Sequence, residues 1–517
     1  MKFVENKVGR LIPEYIEGIG ALKPFTGIFD QEVEGRNRSQ LKSRALPGDK
    51  KLLDTIKDAV EKSGLKDGMT ISFHHHLRNG DYVLMMVVNE IAKLGIKDIT
   101  ICSSSLTSAH DGLIEHIKNG VITGLHTSGL RGLIAKEVTT NCILPTPVVF
   151  RTHGGRARAI ESGDVQIDVA FIGASCCDEM GNMNGKFGPS AFGAMGYPMV
   201  DAQYADKVVA ITDNLVPYPA YPVSIPQTLV DYVVVVDKIG DPELISAGAT
   251  RVTKNPIELI IAEYASKVMI KSGLVKEGFS FQAGSGGASL AVAKYLKDYM
   301  KENEITGGFA SGGVTSYLVE LLEEGYFKTL LDTQTFDAKA AKSFEKNPNH
   351  IEMSASMYAN PHNKGCVANN LDIMILSATE VDVDFNVNVM TASTGVIMGA
   401  QGGHPDTAAG AKLTVVVAPL MRKRIPIVVD KVTTVITPGE TIDVVVTERG
   451  IAVNPKNKEL LAALKETDLP IMTIEELKDM AESFTGKPEK VEFGDKVVGI
   501  IEYRDGTVMD VIYNVLT

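Results

Sequence analysis

Short runs of apolar residues alternate with longer stretches in which apolar positions recur at helical spacing, and this alternation continues through most of the chain. Residues 208–211 and 233–236 are continuous apolar runs, whereas residues 82–94 form an amphipathic stretch. Short apolar runs separated by helices are typical of parallel strands that are buried on both faces of a sheet. The pattern therefore predicts an α/β protein with doubly wound sheets, in which ligand sites lie at the carboxyl ends of the strands.

The same pattern occurs twice along the chain. The clearest match pairs residues 167–184 with residues 371–388, and it keeps its polar positions at one constant offset. Repeated Asp and Asn residues of this kind favour turn and cap roles first. Two like units predict two tandem related doubly wound α/β domains, with the active site between them. The matched polar residues are Asp168, Asp178, Asn182 and Asn184 in the first copy, and Asp372, Asp382, Asn386 and Asn388 in the second.

These boundaries define three regions. Residues 1–50 match neither copy and are predicted to form an N-terminal arm that lies on the body or on a partner. The first domain is predicted over 51–272 and the second over 273–517, with the join near the segment that starts at Lys271. The second domain is expected to include a C-terminal helix that opens with a capping box at Thr473, followed by a hairpin.

Composition narrows the class of protein. The chain has 517 residues, of which 44% are hydrophobic and 22% are charged, as in an ordinary globular protein of two or three domains. A net charge of −12 argues against nucleic acid as a partner. No apolar run approaches the roughly 18 residues of a membrane span, and the first ten residues lack an apolar signal core, so we expect a cytoplasmic protein.

The five cysteines fit neither zinc nor redox spacing. Reduced and partly buried thiols are therefore the expectation, including for the adjacent pair Cys176 and Cys177. No basic residue stands beside that pair to lower the pKa of a thiol, which argues against a catalytic cysteine.

Two glycine-rich segments are each predicted to form a turn between a strand and a helix. The first contains Gly284, Ser285, Gly286 and Gly287, and the second contains Gly312 and Gly313. Glycines in such turns let backbone N–H groups approach a ligand. Neither segment contains Asp, Glu, Cys or His, so neither supplies a nucleophile.

A third glycine-rich segment, residues 398–406, includes Gln401, Gly402, Gly403 and His404. The functional interpretation is a loop at a strand end whose backbone N–H groups hold a thioester and stabilise an oxyanion. The alternative is a tight crossover that requires a positive φ. The pairing with the loop at 284–287 favours the functional interpretation.

Two basic segments in the first half are candidates for anion binding. His74 and His76 face one way on an extended segment and precede Arg78, an arrangement awkward for a metal site, and no metal is predicted. Residues 151–158 hold Arg151, His153 and Arg156 around two glycines, and guanidinium groups suit a substrate with several carboxylates. The alternatives are buried histidines with structural hydrogen bonds, and arginines paired with acidic residues of the protein itself.

Two further residues complete the candidate set. Glu380 is the one carboxylate retained as a catalytic candidate, in the segment Ala378-Thr-Glu-Val-Asp. Tyr358 opens the segment Tyr-Ala-Asn-Pro-His, which is predicted to form a turn at the edge of the pocket.

Several of these segments resemble the coenzyme A transferase superfamily, from about residue 50 to residue 455. The segments that carry this resemblance include 178–182, 281–287, 377–382, 399–403 and 445–452. Segments spread over the whole chain, such as 71–78, 151–160, 386–391 and 501–506, are similar to the citrate lyase α-subunit family within it. The resemblance implies a coenzyme A transferase-like fold and a citrate CoA-transferase activity, in which citrate displaces acetate from an acetylated carrier thiol.

The chain departs from the superfamily at one position. The resemblance implies that most members use a Glu as covalent nucleophile, in the loop that here reads Phe309-Ala-Ser-Gly-Gly. In this chain Gly312 occupies the position of that Glu. This departure fits the citrate lyase class, for which a ternary complex without an enzyme-bound thioester is implied. Carried onto this sequence, the glycines at 284–287, 312–313 and 402–403, with Ser285 and Gln401, would hold the thioester and its oxyanions. The His and Arg residues of the first half, together with His404, would hold citrate.

The resemblance also implies partners. These are the β subunit and the γ subunit, an acyl carrier protein whose prosthetic group derives from dephospho-coenzyme A, in a hetero-complex that contains several copies of the chain. No tightly bound cofactor is implied, and acetyl-coenzyme A would serve as a surrogate substrate. The alternatives are a coenzyme A transferase or acetyl-coenzyme A hydrolase for another acid such as citramalate, a sugar-phosphate isomerase, and a non-catalytic scaffold subunit.

Overall fold

A computed structural model describes residues 2–27, 50–246, 253–284 and 287–516. Within these residues, no helix combines the length and the apolar character needed to cross a membrane. The α-helices, in chain order, are α1 Ile56–Ser63, α2 Val83–Lys93, α3 Leu113–Lys118, α4 Leu133–Asn141, α5 His153–Ser162, α6 Gly196–Tyr204, α7 Pro242–Ser246, α8 Pro256–Lys271, α9 Gly287–Glu302, α10 Ser316–Glu323, α11 Ala338–Lys346, α12 Ala355–Ala359, α13 His404–Gly410, α14 Lys458–Lys465 and α15 Ile474–Thr485.

The first half of the chain builds a parallel sheet whose central strands lie in the order β4-β3-β2-β1-β5-β6-β7. Every residue of the fifth strand is buried, as expected for a strand covered by helices on both faces. These strands are β1 Thr70–Phe73, β2 Ile99–Ser103, β3 Ile122–Thr127, β4 Val148–Arg151, β5 Val169–Ala174, β6 Lys207–Thr212 and β7 Tyr232–Val235.

The second half repeats this plan, with central strands in the order β11-β10-β9-β8-β12-β13-β14. All neighbouring pairs among them are parallel. The two orders are the same when the strands are numbered from the start of each half, so the predicted pair of related doubly wound α/β domains is confirmed. The strands are β8 Ser280–Ala283, β9 Gly307–Val314, β10 Phe327–Thr335, β11 His350–Glu352, β12 Ile373–Ser377, β13 Leu413–Val417 and β14 Val444–Val446.

Shorter strands and sheet edges complete the described secondary structure. They are Phe3–Glu5, Leu11–Pro13, Tyr15–Ile16, Gly20–Ala21, Leu52–Leu53, Cys176–Cys177, Met183–Asn184, Glu380–Asp382, Val387–Asn388, Met421–Arg422, Ile425–Pro426, Val428–Val429, Ile451–Val453, Ile471–Met472, Phe493–Glu502 and Val508–Val515.

Asp178 and Asp382, one of the duplicated pairs, have the predicted turn role. Asp178 accepts hydrogen bonds from the backbone N–H groups of Met180 (2.9 Å) and Asn182 (3.1 Å). Asp382 accepts from those of Asp384 (3.0 Å) and Asn386 (2.9 Å). Because the contacts are equivalent, these positions record the shared backbone plan and not a shared chemistry.

The C-terminal hairpin differs from its predicted place in the second domain. Strand Phe493–Glu502 pairs in parallel with β4, and Val508–Val515 forms the outer edge of the first sheet. The helix α15 opens with the predicted capping box and packs on the second half, through Ile474, Leu477 and Ala481. The chain therefore returns to the first half after α15, because the exposed edge of β4 offers backbone partners that a hairpin can use.

The described part of the N-terminal arm lies on the same hairpin, and so on the body of the protein, one of the two places predicted for it. The Asn6 side chain donates to the carbonyls of Val508 (3.0 Å) and Met509 (2.7 Å). Ile12 and Ile16 pack in a small core with hairpin residues.

The predicted join also shifts toward the N-terminus. Helix α8 contributes Ile261, Ala265 and Val268 to the core of the second half, although it precedes residue 272. It corresponds to α1, because each of the two helices precedes the first central strand of its half, and a glycine of positive φ follows each within two residues, Gly273 and Gly64. The helix before the first central strand thus belongs to each repeated unit, and the boundary falls before α8.

Candidate functional site

A cavity of about 430 Å³ lies between the two halves, where the sequence predicts a site. The second half supplies the carboxyl ends of β8, β10 and β12 and the segment 398–404, which we call the glycine loop. The first half supplies the loop after β3, the start of α5 and one side chain of α6. The lining residues are Arg131, His153, Tyr197, Gln282, Ala283, Gly284, Gly313, Thr333, Gln334, Phe336, Tyr358, Met374, Leu376, Ser377, Ala378, Thr379, Val389, Met398, Gly399, Ala400, Gln401, Gly402, Gly403, His404 and Arg422.

The glycine loop joins the two halves through its backbone. Gln401 N–H donates to the carbonyl of Ser128 (2.8 Å), and His153 N–H donates to that of Gly402 (2.8 Å). The loop leads into α13 and does not follow a strand of the large sheet, which differs from the sequence prediction. Its φ of 56° at Gly402 is the positive φ that the alternative interpretation required. The loop is therefore both a crossover and a wall of the cavity.

Hydrogen-bond donors converge beside this loop. Among the described residues, the backbone N–H groups of Gly402 and Gly403 have no acceptor. The Tyr358 hydroxyl lies against Gly403, since a Cβ added there would be 2.3 Å from it. That hydroxyl accepts from Gln282 Nε2 (2.8 Å), which leaves its own proton for an acceptor in the cavity. Burial raises the pKa of Tyr358, so the hydroxyl stays protonated.

Gly312 and Gly313 lie inside β9 and not in a turn, which corrects the prediction for this segment. A Cβ at Gly312, where φ is 101°, would be 2.5 Å from the Gln282 amide. A Cβ at Gly313 would be 2.1 Å from the Phe336 ring. Gln282 is held by Ser311, whose hydroxyl donates to Gln282 Oε1 (3.0 Å). The space for a side chain at 312 is thus filled by a cavity residue that has partners of its own.

Gly284 also lines the cavity, but its N–H donates to the carbonyl of Ile375 (2.9 Å) and is not available to a ligand. Gly287 is the first residue of α9. Ser285 and Gly286 lie outside the described residues.

Two imidazoles face the cavity as neutral groups. Burial, with Arg156 and Arg131 nearby, lowers the pKa of His153 to about 3. Its buried Nδ1 has no hydrogen-bond partner in the described structure. Burial lowers the pKa of His404 to about 4, and both of its nitrogens have partners, the hydroxyl of Thr437 (2.6 Å) and the carbonyl of Ser377 (3.0 Å). His153 can therefore interact with a ligand, whereas His404 holds the walls in place.

The charges around the cavity are of one sign. Arg131 and Arg422 line it, and no Asp or Glu is among its lining residues in the described parts of the chain. The whole protein has 64 Asp and Glu residues against 52 Lys and Arg. An acidic protein that keeps its carboxylates away from one cavity has a site suited to anions.

Side chains that could act as nucleophiles are placed elsewhere. Both oxygens of Glu380 are occupied, since they accept from the N–H of Thr433 (2.8 Å), the hydroxyl of Thr433 (3.0 Å) and the amide of Asn388 (2.8 Å). Cys176 and Cys177 are buried and free, and burial raises the pKa of the Cys177 thiol. Neither Glu380 nor Cys177 lines the cavity.

Comparison with known proteins agrees with this geometry. The family model for the citrate lyase alpha subunit matches residues 49–515. The chain is 51% identical over 512 residues to the citrate lyase alpha chain of Klebsiella pneumoniae, and the match covers 99% of each. The chain belongs to the citrate lyase alpha-subunit family.

Further relatives support the same assignment. The citrate lyase alpha chain of Escherichia coli is 50% identical over 467 residues, which cover 90% of this chain and 91% of that one. A crystal structure of the citrate lyase alpha subunit of Streptococcus mutans in complex with citrate is 54% identical, with a TM-score of 0.96 over 99% of this chain and 100% of that one. The malonate decarboxylase alpha subunit of Acinetobacter baumannii, 16% identical with a TM-score of 0.61 over 84% of this chain and 87% of that one, shares the fold.

Three predicted residues of the first half support the cavity from behind. His74 contacts the carbonyl of Gly173 (2.9 Å) and the ring of His76 (3.0 Å). His76 in turn contacts the carbonyl of Thr333 (3.2 Å), and Arg78 donates to the carbonyl of Phe336 (2.5 Å). The pKa values of both histidines are lowered by burial. In the described parts of the chain, these histidines do not join any group of three or more residues that could hold a metal.

The structure does not bring Arg151 and Arg156 to the cavity. Arg156 forms a bidentate ion pair with Asp201 (2.7 and 2.9 Å). Arg151 pairs with Glu502 of the C-terminal hairpin (2.8 Å) and lines a separate cavity. The alternative interpretation, pairing with the protein's own acidic residues, describes both arginines. Of the six predicted residues of the first half, His153 alone lines the cavity.

Several polar residues of the cavity were not predicted from the sequence, among them Arg131, Tyr197 and Arg422. Both arginines follow the carboxyl end of a parallel strand, β3 and β13. That position could have identified them from the sequence, since ligands bind at the carboxyl ends of the strands in such sheets. Tyr197 carries no comparable signal, because it reaches the cavity from the first turn of a helix, α6, and not from the end of a strand.

Proposed function

We propose that the chain catalyses exchange of acetate for citrate on a carrier thiol, producing a citryl thioester, and that it does so without a covalent enzyme intermediate. The main support is the cavity, which is lined by arginines and by converging hydrogen-bond donors and has no carboxylate among its described lining residues. Such a site holds anionic substrates and stabilises oxyanions, but it offers no enzyme carboxylate to accept the acyl group.

Each substrate has its own side of the cavity in this proposal. Citrate lies toward the first half, where Arg131 supplies a cation and His153 a neutral imidazole. The acetyl thioester lies toward the second half, against the glycine loop and Tyr358. This division keeps the sequence expectation that the first half binds citrate, with a different arginine in the role.

The reaction then has two acyl transfers. A citrate carboxylate oxygen attacks the thioester carbonyl, and the C–S bond breaks to give a citric–acetic anhydride and a thiolate. The thiolate attacks the citryl carbonyl of the anhydride, and acetate leaves. Both attacks pass through a tetrahedral oxyanion, which the Tyr358 hydroxyl and the N–H groups of Gly402 and Gly403 are placed to stabilise.

Binding in the cavity and stabilisation of the oxyanions both lower the activation barrier. Holding both reactants in one cavity contributes roughly 7–11 kcal/mol through effective molarity. Each well-aligned oxyanion donor contributes about 3–4 kcal/mol. No general base is required, since the attacking group is already a carboxylate and the leaving group is a thiolate.

The natural thioester in this proposal is carried by the γ subunit, on a prosthetic group derived from dephospho-coenzyme A. The citryl product then passes to the β subunit, which cleaves it, within a cytoplasmic complex that contains several copies of this chain. The family assignment, which is that of one subunit of a larger enzyme, supports this arrangement.

Acetyl-coenzyme A and isotopically labelled citrate test the proposal with the purified chain. We expect citryl-coenzyme A and acetate to form without any other subunit, and borohydride to trap no enzyme-bound thioester. Absence of exchange would leave the scaffold alternative, and a trapped adduct on any side chain would contradict the ternary-complex mechanism. Citramalate in place of citrate measures selectivity for the acid.

A matched pair of variants tests the donor role of Tyr358. Tyr358→Phe removes one oxyanion donor, so kcat should fall about 100- to 1,000-fold. Tyr317→Phe is the control, because its hydroxyl has no partner among the described residues and does not line the cavity. Equal rates for the two variants would rule out the assigned role.

A further inference from the structure

The turn between strands Met421–Arg422 and Ile425–Pro426 concentrates positive charge in an acidic protein. Arg422, Lys423 and Arg424 are consecutive and exposed. None of the three forms an ion pair within 4.0 Å in the described structure. The chain as a whole has a net charge of −12. Like charges held side by side repel one another, so an anionic partner would stabilise this basic turn.

The basic turn stands at the mouth of the cavity. Arg422 lines the cavity, and its Nη2 donates to the carbonyl of Ala378 (3.2 Å), which also lines it. Lys423 and Arg424, the next residues of the turn, are exposed and do not line the cavity. The turn follows β13 at the carboxyl edge of the second sheet, on the side proposed for the thioester. A ligand that contacts all three side chains must therefore have its reacting end inside the cavity and another group outside its mouth.

The side chains of the turn indicate that this outer group is a phosphate. Guanidinium groups bind phosphate oxygens in a bidentate manner, and an ammonium group adds a compact point charge. Citrate is small enough to lie wholly within the cavity, where Arg131 is available. A pantetheine arm instead carries its thioester at one end and its phosphates at the other.

We propose that Arg422, Lys423 and Arg424 form a phosphate subsite that binds the phosphate groups of the pantetheine arm carrying the thioester. This assignment rests on the proposed function. The arm is either free coenzyme A or the prosthetic group of a carrier, and both present the same phosphate chemistry to the turn.

The test compares two thioesters in the charge-reversal variant Lys423→Glu/Arg424→Glu. Both residues are exposed on a turn, and Arg422 is kept so that the contact with Ala378 remains. We expect the KM for acetyl-coenzyme A to rise about tenfold or more, since two attractions become repulsions. S-acetylpantetheine lacks the phosphates, so its KM should stay within about twofold of the unchanged protein, as should the KM for citrate. Higher salt should reduce the difference between the two thioesters.

Lys301→Glu is the control, because Lys301 is exposed at the end of α9 and does not line the cavity. The proposal is overturned if the double variant changes the KM of both thioesters alike, or of neither. If the unchanged protein exchanges neither thioester, the proposed function fails and not the subsite. An acetylated carrier subunit as substrate distinguishes the carrier's prosthetic group from free coenzyme A. A raised KM for the carrier assigns the subsite to the carrier's arm. A raised KM for acetyl-coenzyme A alone assigns it to free coenzyme A.

Discussion

Gln282 packs against Gly312, the position at which the resemblance to the coenzyme A transferases implies a Glu in most members. The Gln282 amide fills the volume where a side chain at 312 would begin, and Ser311 and Tyr358 hold that amide. Any side chain at 312 would therefore have to displace Gln282. Gln282 is part of a set of contacts that also orients Tyr358 toward the cavity.

Gly312→Ala tests this packing at the scale of one residue. A positive φ costs about 1 kcal/mol for Ala, and the clash with Gln282 should add about 1–3 kcal/mol. Gly325→Ala is the matched control, since φ there is 81° and nothing lies within 4 Å of the added Cβ. Denaturant unfolding should show the larger loss for Gly312→Ala, together with a lower transfer rate. Equal losses would mean that Gln282 moves aside freely.

The neutral state of His404 predicts how stability depends on pH. Burial lowers the pKa of His404 in the folded state to about 4, below the ordinary value of 6.5. The unfolded chain therefore binds the proton first as pH falls. The stability that His404 contributes is present above pH 6.5 and is lost as pH falls toward 4.

His404→Asn measures that contribution. The wild-type protein should lose on the order of 3 kcal/mol more than this variant between pH 6.5 and 4. Denaturant midpoints at several pH values give the two slopes. Parallel slopes would show that His404 is protonated in the folded protein.

At the scale of elements, the contact between α13 and α5 sets the geometry of the cavity. Asp406 of α13 accepts from the N–H of Gly154 (2.9 Å) and from the hydroxyl of Thr152 (2.8 Å), at the start of α5. These bonds cross between the two halves. They hold His153, the residue between these donors, against the glycine loop that precedes Asp406.

Asp406→Asn should weaken this junction. The amide cannot accept both hydrogen bonds as the carboxyl group does, so we expect a loss of about 1–3 kcal/mol in stability. The transfer rate should fall about tenfold or more, because His153 and Gly402 lose their relative position.

Asp443→Asn is the control for this prediction. Asp443 accepts from the N–H of Thr414 (2.8 Å) within the second half alone. It should lower stability to a similar extent and leave the rate unchanged. A rate that follows stability in both variants would argue against a positioning role for Asp406.

At the scale of the whole molecule, the two halves have the same topology, but only the second half builds its core from its own residues. The cores of the second half contain only residues between Ile261 and Ala481. The core of the first half also includes residues from later in the chain, among them Met390, Val435 and Tyr503. The first half is thus completed by residues of the second half and of the C-terminal hairpin, all of which follow it in the chain.

Two fragments test this asymmetry. Residues 253–486 contain the whole second core and should fold cooperatively when expressed alone. Residues 1–246 lack the hairpin that covers β4 and should remain unfolded or aggregate. Circular dichroism and thermal unfolding of each fragment give the answer, and a stable, cooperatively unfolding N-terminal fragment would contradict it.

The sequence by itself determined the class of the fold, its duplication and the family. Local patterns carry these properties: apolar runs mark buried strands, and the paired Asp and Asn residues mark equivalent turns. It also marked the glycine loop and His153 as part of the site, and the segment that starts at Tyr358 as its edge. The tertiary structure alone decided which charged residues face the cavity. Arg151, Arg156 and Glu380 find partners far along the chain, whereas Arg131 and Arg422 line the cavity and pair with no carboxylate of the described residues. That outcome depends on which distant segments meet, including a hairpin that returns to the first sheet, and local spacing does not encode it.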